Sequence, residues 1–293
     1  MVVATGFFDG VHIGHRLVIE QLVAAAKARG DESLIITFWP HPRNVLQKDA
    51  SSLRLLTSLD EKKRMLQSLG VDNVEVIGFT REFSRLSAEE YLKDYVMDRF
   101  GGTSIILGYD NRMGSDSPDS ADVAAVAERL GLDVIRAAQI SSGAGMAVSS
   151  TWIRTMISAG NVEAAADMLG YGYFLHGVVV AGNRIGRTIG FPTANMQLYE
   201  PLKLVPGNGV YFVSVETLGR QYYGMCNIGR RPTVGNGNSV TIETNIFGFD
   251  EDIYGLDITV TFLKRIRCET KYVSLEALKE QLTKDRSLCE EFL

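Results

Sequence analysis

The chain has 293 residues, 45% of them hydrophobic and 22% charged, with a formal net charge of −5. That length holds one large or two ordinary domains, and the balance is that of a soluble globular protein. The acidic balance argues against a general nucleic-acid binder, no run approaches 18 consecutive apolar residues, and no signal-peptide pattern occurs; neither a nucleic-acid nor a membrane partner is expected, and the cytoplasm is the default compartment.

In chain order, the first half alternates strands and helices. MVVAT is a short apolar strand. His15 to Arg29 reads as a helix, with Val18, Leu22 and Ala25 on one face and a stop at Gly30. SLIITF is a buried strand. Ser58 and Glu61 have capping-box spacing before a helix that buries Met65, Leu66 and Leu69 and ends at Gly70. VEVIGF is the next strand, and Ser87 with Glu90 repeats the capping box ahead of Leu92, Tyr95 and Val96. TSIILG is a strand, and Val123, Val126 and Leu130 mark a helix that stops at Gly131. Continuous apolar strands separated by helices predict a parallel sheet covered on both faces, the α/β class.

From Tyr173 to Ile266 the pattern changes to strands and turns, with no convincing helix. SVTIETNIF sets Val240, Ile242 and Ile246 against Thr241, Glu243 and Asn245. LDITVTFL sets Leu256, Ile258, Val260 and Phe262 against Asp257, Thr259 and Thr261. Short alternating strands with Gly-rich turns predict a small barrel or sandwich. A last helix follows Ser274, with Leu275, Leu278 and Leu282 on one side. The boundary falls near 160–172, after a short helix from Asn161, and gives domains 1–165 and 166–293. The cysteines Cys226, Cys268 and Cys289 fit no metal spacing and read as buried or idle thiols.

Four histidines occur in the chain, and His12 and His15 stand three apart in GFFDGVHIGH at 6–15. This string joins the first strand to the first helix, and open parallel sheets bind ligands at the carboxyl ends of their strands. Glycines let the backbone approach phosphate, and a helix N-terminus offers free N–H groups. The two imidazoles, on one side of the first turn, can donate to oxygens whose charge grows as pyrophosphate leaves. The string resembles the nucleotidyltransferase H-x-G-H signature, which binds ATP or CTP and directs in-line attack on the α-phosphate; it is not a Walker A loop. The resemblance implies catalytic roles for His12 and His15, with Gly6, Phe7, Asp9 and Gly10 around the phosphates. SSTWIRTMI at 149–157 is similar to the second motif of that superfamily, which implies Ser150 and Thr151 at a helix start and Arg154 reaching the triphosphate. FWPHPR at 38–43 and GYDNRMG at 108–114 resemble segments of prokaryotic FMN adenylyltransferases. They imply flavin contacts for His41, Pro42, Asp110 and Asn111, although Asn111 and Met113 stand where that family has aromatics.

In GNRIGRTIGFPTANM at 182–196, Thr193 and Asn195 alternate onto one side of an extended segment. A hydroxyl and an amide oxygen can complete Mg²⁺ coordination when nucleotide phosphates and water supply the rest. The stretch resembles the G-F-P-T-A-N motif of riboflavin kinases, which implies Gly182, Gly186, Arg187 and Gly190 at the ATP phosphates and Thr193 and Asn195 on the metal. NIGRRPTV at 227–234 is similar to their flap loop. IETNIFGFDEDIYG at 242–255 is similar to the segment with their catalytic glutamate, which implies Glu243 as the base that takes the proton of a primary alcohol attacking a γ-phosphate. Asn245 stands where that family often has histidine.

Taken together, the motifs resemble the bifunctional riboflavin kinase/FMN adenylyltransferases. The resemblance implies an N-terminal HxGH-type, Rossmann-like nucleotidyltransferase domain followed by an all-β riboflavin-kinase barrel with a C-terminal helix. It implies riboflavin, FMN, FAD and ATP as substrates and products, with Mg²⁺. Two other readings stay open: a flavin-binding regulator without turnover, and an N-terminal half that transfers CMP. The first strand starts at residue 2, where such proteins usually carry a short preceding segment, so a trimmed N-terminus is expected.

Overall fold

Five parallel strands in the order β3-β2-β1-β4-β5 organise the first half of the chain: β1 Val2–Thr5, β2 Ser33–Trp39, β3 Asn73–Gly78, β4 Ser104–Leu107 and β5 Asp133–Arg136. The computed structural model describes residues 1–46, 53–108, 113–116, 120–137, 148–182, 185–232 and 238–293. Alternate strand residues point to opposite faces. Val3, Leu34, Ile36, Ile105 and Leu107 pack on one side with Leu92 and Val123, whereas Val2, Ala4, Ile35 and Ile106 pack on the other with Ile19, Leu22 and Leu66. The sheet is therefore covered on both faces, as expected. The chain leaves β1 for β2 on one side and returns to β4 on the other, so the strand order reverses beside the carboxyl end of β1. That reversal is where an open sheet accepts a ligand.

The helices of this unit are α1 Ile13–Arg29, α2 Pro42–Leu46, α3 Leu59–Ser68, α4 Ala88–Glu90 running on in π-helical form through Tyr91–Arg99, and α5 Ser120–Arg129. Both expected capping boxes form: Ser58 accepts from the Glu61 amide while Glu61 accepts from that of Ser58, and Ser87 and Glu90 do the same. Helix α1 starts at Ile13, two residues earlier than its periodicity suggests, because the His12 side chain caps it.

The chain divides into two compact units, Met1–Ser150 and Thr151–Leu293. Residue 165 lies inside helix α7, Val162–Leu169, which follows α6, Ser150–Ala159. The second unit is built on a closed barrel in the order β10-β7-β6-β11-β8-β9. Its strands are β6 Phe174–Val180, β7 Ala194–Leu198, β8 Gly209–Thr217, β9 Arg220–Pro232, β10 Asn238–Ile246 and β11 Asp257–Arg267. Every pairing is antiparallel. Ile258, Val260 and Phe262 are buried as their alternation requires, while Leu256, at the strand start, is exposed. A single helical turn, α8 Ile185–Thr188, interrupts the all-β region; one turn is too short to show periodicity. The last helix, α9 Leu275–Glu290, is capped by Ser274. It is held to the barrel by Arg267, which donates to the buried Asp285 carboxylate through Nε at 2.9 Å and Nη2 at 2.7 Å. Among the described residues no helix is long and apolar enough to cross a membrane. Cys226 and Cys289 are buried and Cys268 is exposed, all three as free thiols.

Candidate active sites

The first site is the turn between β1 and α1. Phe8 (φ 52°), Gly10 (φ 79°) and Val11 (φ 37°) all take left-handed backbone conformations, a strained sequence for non-glycine residues. Asp9 holds the turn in that shape. Its buried carboxylate accepts from the amides of Leu56 (3.1 Å) and Thr57 (3.0 Å) and from the Thr57 hydroxyl, while Thr57 Oγ1 in turn accepts from the Gly10 amide at 3.1 Å. A carboxylate engaged by these donors acts on the turn, and its charge is offset where a bare one would repel phosphate. Gly6 lies against the Phe8 ring.

His12 accepts a hydrogen bond from the His15 amide on Nδ1 at 3.3 Å, so a ring proton belongs on Nε2. The His15 ring stacks on it with centroids 3.6 Å apart and planes 16° from parallel. Gly14 makes the stack possible: a Cβ there would sit 3.3 Å from the His12 ring. Burial, then the neighbouring His12 and Lys62, hold His15 well below the usual imidazole pKa, so it is neutral at pH 7 and carries one N–H to donate. His15 Nδ1 is buried with no hydrogen-bond partner among the described residues.

The other expected members of this site fall into place unevenly. Ser150, at the start of α6, donates its hydroxyl to the Asp9 carbonyl at 2.9 Å, which ties the second motif to the first. Thr151 and Arg154 belong to the second unit; Thr151 is exposed, and Arg154 is half-buried one turn along α6. His41 stands edge-on to Phe7, with ring centroids 4.0 Å apart. Its Nδ1 accepts from the Arg43 amide at 3.0 Å, and Pro42 opens α2, the helix position where proline fits best. Asp110 and Asn111 lie outside the described residues. Met113, where an aromatic is usual, is a buried core residue packed with Tyr91 and Leu92.

The second site lies on the barrel. Glu243 on β10 pairs directly with Asn195 on β7 and with Asn227 on β9, so three polar side chains form a row across adjacent strands. Gly182 brings the chain against that row: a Cβ there would stand 2.3 Å from Asn195 Nδ2. A Cβ at Gly186, on α8, would collide with the Phe191 carbonyl at 2.1 Å. Arg187 on α8 is exposed, and Gly190 takes the left-handed φ of 86° that ends the turn. Thr193 and Asn195 are half-buried. Their hydroxyl and amide oxygens are the hard, neutral donors that suit Mg²⁺ when phosphate supplies the charge.

Residues 1–152 match the FAD synthetase family profile, and residues 169–293 match the riboflavin kinase profile. The bifunctional riboflavin kinase/FMN adenylyltransferase of Bacillus subtilis (strain 168) is 35% identical over 297 residues, covering 97% of this chain and 90% of that protein. The Escherichia coli (strain K12) protein of the same description is 34% identical over 293 residues, covering 99% and 92%. The chain belongs to the bifunctional riboflavin kinase/FMN adenylyltransferase family. A solved structure described as a macrolide-efflux protein from Streptococcus pneumoniae has the same fold, with a TM-score of 0.91, 33% identity, and coverage of 99% of this chain and 93% of that one.

Two features of this family member escape its motifs. Alternation puts Asn245 on a solvent-facing polar edge with Glu243, yet it is 5% exposed. The Phe191–Pro192 turn covers that face, with Phe191 packed on Val210, Phe212 and Met225, and Asn245 Nδ2 donates to the Pro192 carbonyl at 2.7 Å. Asn245 thereby tethers the turn that leads into Thr193. The second feature is Lys62, a lysine that is 1% exposed beneath the first site. Its register was the available signal, since it precedes Met65 by three residues and Leu66 by four and so shares the apolar stripe of α3.

Proposed function

We propose which residues carry each step of the two-step synthesis of FAD. The enzyme phosphorylates riboflavin with ATP and then adenylylates the FMN with a second ATP, releasing pyrophosphate. Phosphorylation is assigned to 166–293 and adenylylation to 1–165, in the cytoplasm. In the first step Glu243 accepts the proton of the riboflavin 5′-hydroxyl as that oxygen attacks the γ-phosphate. Thr193 and Asn195 would hold Mg²⁺, which would neutralise phosphate charge. Gly182, Gly186, Arg187 and Gly190 line the ATP phosphates. In the second step the FMN phosphate attacks the α-phosphate of ATP. His12 Nε2–H and the neutral His15 donate to the departing pyrophosphate, whose charge is then largest. Gly6, Phe7 and Gly10 present the turn to phosphate, and Asp9 and Ser150 fix that turn. Thr151 and Arg154 contact the triphosphate, and His41, Pro42, Asp110 and Asn111 contact the flavin.

The observation that supports this reading most is the register of Glu243 opposite Asn195, a carboxylate beside the turn to which metal and phosphate are assigned. The test is Glu243→Gln, which keeps shape and removes the acceptor. The variant should make almost no FMN from riboflavin and should convert supplied FMN to FAD at close to the parent rate. Riboflavin phosphorylation at the parent rate would remove Glu243 from the role.

A further inference from the structure

The adenylylation motif rests on a buried cation. Lys62 reaches from α3 to the end of β1, where its Nζ donates to the Phe7 carbonyl at 2.9 Å and to Thr37 Oγ1 at 3.0 Å. Thr37 donates that hydroxyl's own hydrogen to the same Phe7 carbonyl at 3.2 Å, and the ammonium stands 3.9 Å from the Phe7 ring centroid. Burying an ammonium without a contacting carboxylate is costly. An apolar side chain on the stripe of α3 would avoid that cost, so the charge calls for a function. Its position identifies one. Phe7 is the residue from which the strained turn Phe8–Val11 departs, and that turn carries the chain to the His12 cap.

We propose that Lys62, as the protonated ammonium, is a positioning residue for adenylylation: it pins the start of the phosphate-binding turn and supplies the turn with a fixed positive charge. The charge acts in two ways. It adds to burial and to His12 in disfavouring a proton on His15, the neutral donor stacked on His12. It also adds positive potential behind a turn that must meet a growing polyphosphate charge, in a setting where burial weakens screening. Lys62 does not touch substrate. The inference rests on the assignment of adenylylation to His12 and His15, and its test separates the two.

The titratable groups around Lys62 are Asp9 from the turn, which favours its charged form, His15 and His12 from α1, and His41, which shares the Phe7 ring; Glu61 is its neighbour on α3. Burial outweighs Asp9 and brings the Lys62 pKa down to about 8. The ammonium is therefore present below pH 8 and lost above it.

The experiment measures FAD formation from FMN and MgATP between pH 6 and 10 for the parent, Lys62→Met and Lys62→Arg, with circular dichroism and thermal unfolding of each protein as the folding control. The parent kcat should fall through an alkaline limb near pH 8. Lys62→Met should lose about tenfold or more in kcat at pH 7, as a lost electrostatic contribution does, with KM for FMN and ATP moving little and with no limb near pH 8. Lys62→Arg, whose charge persists, should restore part of kcat and keep it to pH 10. A parent without the limb, or Lys62→Met within twofold of the parent, overturns the proposal. Should the methionine variant fail to fold, a limb still near pH 8 in Lys62→Arg overturns it. His12→Ala, run alongside, should lower FAD formation on the order of 10²–10³-fold; if it does not, the assignment of the motif fails, and this proposal with it.

Discussion

The two sites proposed to handle phosphate in this enzyme are built in opposite ways. In the α/β unit the groups come from one short stretch, and the fold's work is to strain and hold a turn: Asp9 on the Leu56 and Thr57 amides, Ser150 on the Asp9 carbonyl, Lys62 on the Phe7 carbonyl. In the barrel the groups come from separate strands and meet through register alone: Asn195, Glu243 and Asn227 stand in a row on β7, β10 and β9. A turn site depends on buried polar partners beneath it. A strand site depends on pairing, and the tether from Asn245 to Pro192 holds the turn beside it.

That contrast can be broken from either side. The largest effect is expected at Glu243, where losing a general base costs roughly 10²–10⁴ in rate, and it should be confined to phosphorylation. His12→Ala should follow, with adenylylation down on the order of 10²–10³, phosphorylation unchanged and FMN accumulating. Its fall should show in kcat, because the donor acts where charge develops. The smallest effect is expected at Asn245. Asn245→Ala removes the donor to the Pro192 carbonyl, a hydrogen bond worth about 0.5–1.5 kcal/mol. The looser turn should raise KM for MgATP in phosphorylation by about tenfold at most, since ~1.4 kcal/mol is a factor of ten. Conversion of FMN to FAD should be untouched. If Asn245→Ala lowered kcat alone, the tether would not be acting through the Thr193 turn.

The same contrast explains what was legible before the structure. Capping boxes at Ser58 and Ser87, buried strands and the Gly30 stop are local, and they read directly as elements. GFFDGVHIGH is legible as chemistry because a turn site is contiguous. The pairing of Asn195 with Glu243 is not local, and only resemblance joined PTAN to IETNIF. Asn245 was misplaced because alternation marks a polar face without saying what covers it; here the Phe191–Pro192 turn does. Lys62 was missed because a lysine reads as surface, although its register on the α3 stripe argued otherwise. The single turn α8 and the four-residue strand β5 were too short to carry a period.

The central claim is that two separate residue sets in one chain make FAD in succession, with FMN between them. The most direct measurement mixes equal amounts of Glu243→Gln and His12→Ala protein with riboflavin and MgATP and follows flavins by chromatography. Neither variant alone should make appreciable FAD from riboflavin. The mixture should make FMN at once and FAD after a lag, as FMN released by the His12→Ala protein is adenylylated by the other. No FAD in the mixture, or FAD at the parent rate from either variant alone, would contradict the account.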